Sequence, residues 1–357
     1  MTFRTAFVTG STGLLGNNLA RELAGRGVRV RALARSPEKA EKQFRGLDVE
    51  VVSGDMKNVS AFAHLLRDQD VVFHTAACFR ESYKGGNHSE ELRRINVEGT
   101  SGLLSHCYSA GVRRFIHTSS IAVLDGPPGT LVDETMLRRT EDADDYYRSK
   151  ILADREVDSF LTSHPDFHAT FVLPGWMHGP GDLGPTSAGQ VVLDFVNRKL
   201  PGVVPGSFSV VDARDVAAIL IAAAERGRRG ERYLAAGRHS TMADHFAVLE
   251  RVTGIKAPRR KIPAALLYLM AAAGEVWSRL TGQPVLLGMA TVRLMTREAD
   301  RSHFNHARSE RELGARFRPV EETIADVVAW YANNGAFRER FHAAPSRPDL
   351  TAGTSAD

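Results

Sequence analysis

A strand-like run beginning at Phe7-Val8 enters a turn with glycines at Gly10, Gly13 and Gly16, and leaves it as a helix-forming segment from Asn17 to Ala24. No other feature restricts the fold as much. In the motif TGSTGLLG, Gly10 permits a tight strand-to-helix turn, Gly13 lets backbone amides approach a pyrophosphate, and Gly16 lets the helix pack closely on a sheet. The helix N-terminus adds positive potential for phosphates. The spacing is GxxGxxG, not the GxGxxG of the commoner dehydrogenases. Gly10, Thr12, Gly13, Leu14, Leu15 and Gly16 are therefore candidate contacts to a dinucleotide.

Further strands are expected at Val28 to Leu33, Val49 to Val52, Val71 to His74, Phe115 to His117 and Phe171 to Leu173, with helical spacing between them, as in Ala61 to Leu66. This alternation predicts an α/β fold, a Rossmann-like doubly wound parallel sheet with right-handed crossovers and a smaller C-terminal substrate lobe. Past Pro174 the pattern loosens. Gly179 to Gly189 reads as a loop, Ser209 to Val211 as a strand, Asp215 to Glu225 as a helix and Val320 to Asn333 as a last helix. The expected division is a cofactor-binding domain over residues 1–175, with 207–228 returning to it. Residues 176–206 and 229–343 form the substrate lobe, and 344–357 a disordered tail.

Composition narrows the function. Of 357 residues, 43% are apolar, enough to bury a sizeable core. Cys78 and Cys107 suit neither a disulfide framework nor a zinc site, which points to a reducing compartment. The net charge of +4 comes from interspersed signs, so no nucleic-acid partner is expected. The start has no signal-peptide core, and the apolar stretch from Ala264 to Met270 is too short for a transmembrane segment. A soluble, cytoplasmic protein is expected. His303 and His306 lack further ligands nearby, so no metal is expected.

The chemistry is carried by Tyr146 and Lys150. Spacing of four in a helix-forming stretch puts phenol and ammonium on one face. A tyrosine ionises near pH ~10, too high for acid–base work at neutrality, and a neighbouring ammonium favours the phenolate. Tyr147 has Ile151 at the matching position. A hydroxyl in Thr118-Ser119-Ser120, just after the strand ending at His117, can stabilise a developing oxyanion. Ala34 and Arg35 end the second strand, where an NAD-preferring enzyme carries an acid; Arg35 can pair with a 2′-phosphate, so NADP(H) is favoured over NAD(H). Asp55, before Met56, reads either as an acceptor for the adenine amino group or as a helix N-cap.

Taken together, TGSTGLLG, VFHTAA, INVEGT, HTSSIAVLDG, YYRSK and LPGWMHGPGD resemble the extended short-chain dehydrogenase/reductase family along most of the chain. The C-terminal SERELGARFRPVEETIADVVAWYANNG and the second-strand ALARSP are most similar to its dihydroflavonol-reductase-like and hopanoid-associated epimerase-like branch. The resemblance implies Ser120, rather than Ser119, as the catalytic hydroxyl and Lys150 on the nicotinamide ribose. It also adds Met56, Ala76, Pro174 and Met177 to the cofactor contacts. The sugar-nucleotide epimerases carry an Asn-Val-Tyr-Gly-Pro-type segment where this chain has Gly175-Trp176-Met177-His178-Gly179-Pro180. Trp176 sets a large apolar surface near the reactive carbon, which argues against a plain nucleotide-linked sugar.

The expected activity is NADPH-dependent reduction of a ketone or aldehyde on a small apolar or aromatic substrate, with Tyr146 as proton donor. The alternative is an epimerase or dehydratase acting on a nucleotide-linked sugar. A binding-only protein that senses the NADP(H) ratio ranks below both, because the Tyr146–Lys150 pair is intact. Phe79, Trp176 and His178 are the candidate substrate contacts, within loops after Ala77 (to Asn87), Ser120 and Trp176. A homodimer is a further possible partner state. Arg259, Arg260 and Lys261 beside the apolar run fit a lid over a hydrophobic pocket, with a membrane-surface anchor as the competing reading.

Overall fold

The computed structural model describes residues 2–79, 88–281, 288, 289, 292, 296 and 301–337. Seven parallel strands form the main sheet: β1 (Thr5–Thr9), β2 (Arg29–Ala34), β3 (Val49–Ser53), β4 (Val71–His74), β5 (Arg114–Thr118), β6 (His168–Pro174) and β9 (Arg232–Ala235). Their order is β3-β2-β1-β4-β5-β6-β9, so the chain reverses its winding at β1 and β4. In such sheets ligands bind at the carboxyl ends of the strands where the order reverses. A second sheet joins β7 (Trp176–His178), β8 (Ser207–Asp212) and β10 (Arg238–Thr241) in the order β10-β8-β7.

Alternation along the strands divides the core between the two faces. Ala6, Val8, Val71, Phe73 and Ile116 pack on one side with Leu19, Leu23, Val216 and Leu220 from α1 (Leu14–Gly25) and α7 (Ala213–Arg226). Phe7, Val72 and Phe115 pack on the other with Leu103, Leu104, Val157 and Leu161 from α4 (Gly99–Ser109) and α5 (Asp145–Ser163). Both faces are covered, as a fully parallel sheet requires. A separate apolar cluster joins Val192 and Phe195 of α6 (Ser187–Val196), Phe246 and Leu249 of α8 (Met242–Thr253), and Ile324, Val328 and Tyr331 of Val320–Asn333.

Three details differ from expectation. Ala61 to Leu66 forms no α-helix; Met56–Ala61 and Ala63–Leu66 are short 3₁₀ turns. Residues 207–228 divide: β8 pairs with β7 and β10 rather than with the main sheet, while α7, together with Val211 of β8, returns to the core of the cofactor domain. β9, expected in the substrate lobe, pairs with β6 as the seventh strand. The expected tail at 344–357 lies outside the described residues.

Candidate active site

At the C-terminal end of β1, Gly10 has a φ of +66°, and a Cβ there would lie 2.7 Å from the main chain of Ala76. At Gly16 a Cβ would strike the carbonyl of Gly10. Ser11 Oγ donates to the Leu33 carbonyl at 2.9 Å and the Gly13 amide to the Gly10 carbonyl at 3.0 Å, fastening the turn beneath the start of α1. Gly13 is the N-cap and offers no side chain to the first helical N–H groups, while Leu14 and Leu15 are buried behind it. Thr12 and Gly13 remain accessible. This cradle fits a pyrophosphate, which supplies the oxygens that a capping side chain would otherwise provide.

Arg35 is exposed directly beyond the end of β2. The Glu91 carboxyl is held below its ordinary range mainly by Lys57, whose Nζ lies 2.6 Å away, with Arg35 contributing from farther off. Asp55 accepts from the Lys57 amide at 2.9 Å, so it caps the turn that starts at Met56, as one of its two readings expects. Met56 is buried, and half-buried Ala76 donates its amide to Thr9 Oγ1 at 3.2 Å beside the glycine turn.

α5 begins where the Asp144 side chain accepts from the Tyr147 amide. Tyr146 and Lys150 occupy its buried face. Lys150 Nζ donates to the Thr118 carbonyl at 2.8 Å, and burial pulls its pKa down to about 8, against the attraction of Asp154. The Phe79 ring stands edge-on to Tyr146, with centroids 4.6 Å apart. Ser119 is buried and donates from Oγ to Asp154 Oδ2 at 2.9 Å. Half-buried Ser120 accepts from the Ala122 amide at 3.1 Å. A hydroxyl has one proton to give. Ser119 spends its proton on Asp154, whereas Ser120 accepts through its oxygen.

Beyond buried Pro174, Trp176 and Met177 are half-buried on β7. The Trp176 indole donates to Ser187 Oγ at 3.2 Å and its ring meets those of Phe208 and His245. His178 departs from its expected role as a substrate contact. It is 1% exposed and packs against Trp176 and His245, so it forms the wall behind the tryptophan. Much of the expected specificity loop to Asn87, residues 80–87, lies outside the described residues. Two open clefts, one beside Arg26 and Arg316 and one beside Phe195 and Lys256, contain none of these residues. Among the described residues no group of three or more ligating side chains could hold a metal ion, and His303 stacks on His239.

Two buried residues escaped the sequence reading. Asn96 accepts from the Cys78 amide at 2.7 Å and donates to the Cys78 carbonyl and Ser149 Oγ, both at 3.0 Å, tying the segment that follows β4 to α5. Asp154 accepts the hydrogen bond from Ser119 Oγ and lies 3.2 Å from His117 Nε2, near Arg232 as well. The position of Asp154 four residues beyond Lys150 was the available signal; Asn96 stood inside INVEGT with nothing local to mark its role.

The profile of the NAD dependent epimerase/dehydratase family matches residues 6–236. The chain is 34% identical over 334 residues to sterol demethylase protein B of Methylococcus capsulatus, covering 93% of this chain and 99% of that protein. It is 30% identical to a putative dihydroflavonol 4-reductase of Synechocystis, covering 92% and 95%. A Stigmatella aurantiaca ketoreductase of 4-hydroxy-2-methyl-3-oxo-4-farnesyl-3,4-dihydroquinoline-1-oxide is 31% identical, covering 94% and 99%. The crystal structure of gox2253 superposes with a TM-score of 0.80 at 30% identity, covering 94% of this chain and all of that one (100%). These likenesses span both lobes and agree with the site geometry: the chain belongs to the NAD dependent epimerase/dehydratase family and is an NAD(P)-dependent oxidoreductase of the extended short-chain dehydrogenase/reductase type.

Proposed function

We propose that the protein is an NADPH-dependent reductase of a ketone or aldehyde carried on an apolar or aromatic substrate. The observation that carries this reading is the buried Lys150 ammonium, held on the Thr118 carbonyl on the same helical face as Tyr146 and one residue-pair from Ser120. The glycine turn, Arg35, Ala76, Pro174, Met177 and Lys150 hold the dinucleotide, which when bound supplies hydride for the carbonyl carbon. Tyr146 gives its phenolic proton to the carbonyl oxygen, turning the carbonyl into an alcohol. Lys150, still cationic at neutral pH with a pKa of about 8, stabilises the phenolate that remains. Ser120 directs its hydroxyl proton to the same oxygen, since its own oxygen is occupied by the Ala122 amide.

Arg35 supports the preference for NADPH, because a guanidinium stands where an acid would repel a 2′-phosphate. Phe79 beside Tyr146, and Trp176, support an apolar substrate. Two of the full-length relatives are named for sterol demethylation and for reduction of a farnesylated quinoline. Oxidation of NADPH, and separately of NADH, against apolar ketones and aldehydes tests the reading. Consumption of NADPH with a preference over NADH supports it. Interconversion of nucleotide-linked sugars without net cofactor consumption replaces it with the epimerase reading.

A further inference from the structure

The helix α9 (Ala264–Thr281) has two apolar faces and buries only one. Leu267 and Ala271 are fully buried, against Ile262 and Val292, with Val204 and Met289 around them. Leu266, Leu269, Met270, Ala273, Val276, Trp277 and Leu280 are exposed, and their spacing of three and four residues lines them up as one stripe. The exposure is not marginal: Leu269 is 67% exposed, Trp277 66% and Leu280 79%. No charged residue interrupts the stripe. The buried face rests on Val204, which also packs against the apolar cluster that holds Trp176.

The residues leading into α9 carry one sign of charge. From 251 to 274 the sequence contains five cations and no acid. Arg251 is paired with Glu321, whereas Lys256, Arg259, Arg260 and Lys261 are exposed and form no ion pair among the described residues. The last three precede the helix directly. Their backbone is fixed to the lobe, with the Val203 amide donating to the Arg260 carbonyl at 2.8 Å and the Ile262 amide to the Val203 carbonyl at 2.9 Å. Among the described residues no helix is long and apolar enough to cross a membrane.

We propose that α9 and the preceding basic segment form a membrane-docking surface, which lies in the interface of a bilayer rich in anionic lipid. The apolar stripe enters the acyl boundary, Trp277 sits at the headgroup level, and Arg259, Arg260 and Lys261 pair with lipid phosphates. Charge complementarity selects this occupant over a second copy of the chain. Pairing two copies through the stripe brings together two surfaces that have no acid between residues 251 and 274, and leaves the cations unmatched. The proposal does not rest on the reductase reading, since vesicle binding needs no turnover.

The test is co-sedimentation of the full chain with phosphatidylglycerol–phosphatidylcholine vesicles and with phosphatidylcholine vesicles alone, read alongside Trp277 emission in a Trp176→Phe/Trp330→Phe background. The native protein should bind the anionic vesicles with a blue shift and release them in high salt. Arg259→Gln/Arg260→Gln/Lys261→Gln should bind roughly 100-fold more weakly. Leu269→Ser/Trp277→Ser should lose binding while keeping its circular dichroism and NADPH affinity. Absence of native binding, or equal binding by the charge variant, overturns the proposal. Conversion of a dimer to a monomer by Leu269→Ser/Trp277→Ser, with vesicle binding unaltered, assigns the stripe to a second copy instead.

Discussion

Lys150 reaches from the first turns of α5 to the main-chain carbonyl of Thr118 at the end of β5. That bond ties the helix bearing Tyr146 to the strand end that leads into Ser120, and in the proposed mechanism the same ammonium tunes Tyr146. Because the ammonium is buried, its pKa falls to about 8. The ammonium is the useful form, and it is lost as pH rises through that value. We predict that kcat/KM declines above about pH 8, and that a pH–rate profile of the free enzyme shows this limb.

Asp154 raises the Lys150 pKa and accepts the hydrogen bond of Ser119. In the proposed mechanism it is a positioning residue that acts through both neighbours. Asp154→Asn keeps an acceptor but removes the charge, so the alkaline limb should move to lower pH while KM changes little. An unchanged limb with a uniformly lower kcat at all pH values indicates a purely structural role.

Arg35→Ser should raise KM for NADPH by about 10- to 100-fold, the worth of one charge-assisted phosphate contact. KM for NADH should stay nearly constant. Equal effects on both cofactors would place the arginine away from the 2′-phosphate.

Buried histidines predict acid sensitivity. Burial lowers the pKa of His245 and His306 to about 4 and those of His74 and His178 well below 6.5, so each stays neutral in the fold and takes up a proton on unfolding. The unfolded chain binds more protons between pH 4 and 6.5, and stability is therefore lost as pH falls through that window. His245 alone accounts for on the order of 3 kcal/mol across it. Urea unfolding at pH 7 and pH 5 should show the loss, and His245→Phe should reduce the difference between them.

The sheet was legible because each strand carries a β-branched or aromatic run beside helical spacing, and Gly10 and Gly16 mark a turn that excludes side chains. Val320–Asn333 was readable to the residue for the same reason of periodicity. The partition of β8 and β9 between two sheets was not, because short strands of similar composition differ only in their partners across the fold. Tyr146 and Lys150 stood out by spacing, and Ser120 by the family resemblance of its segment. The burial of His178 behind Trp176 and the clasp of Asn96 on Cys78 depend on contacts between distant segments, which local pattern does not encode.

The most direct test of the central claim compares native protein with Tyr146→Phe, following NADPH oxidation by a reducible apolar ketone and NADPH binding by fluorescence in parallel. Loss of the phenolic proton should lower kcat by about 10²- to 10⁴-fold, with cofactor affinity within about twofold of native. Turnover retained by Tyr146→Phe, with cofactor bound as tightly as before, would contradict the assignment of Tyr146 as the proton donor.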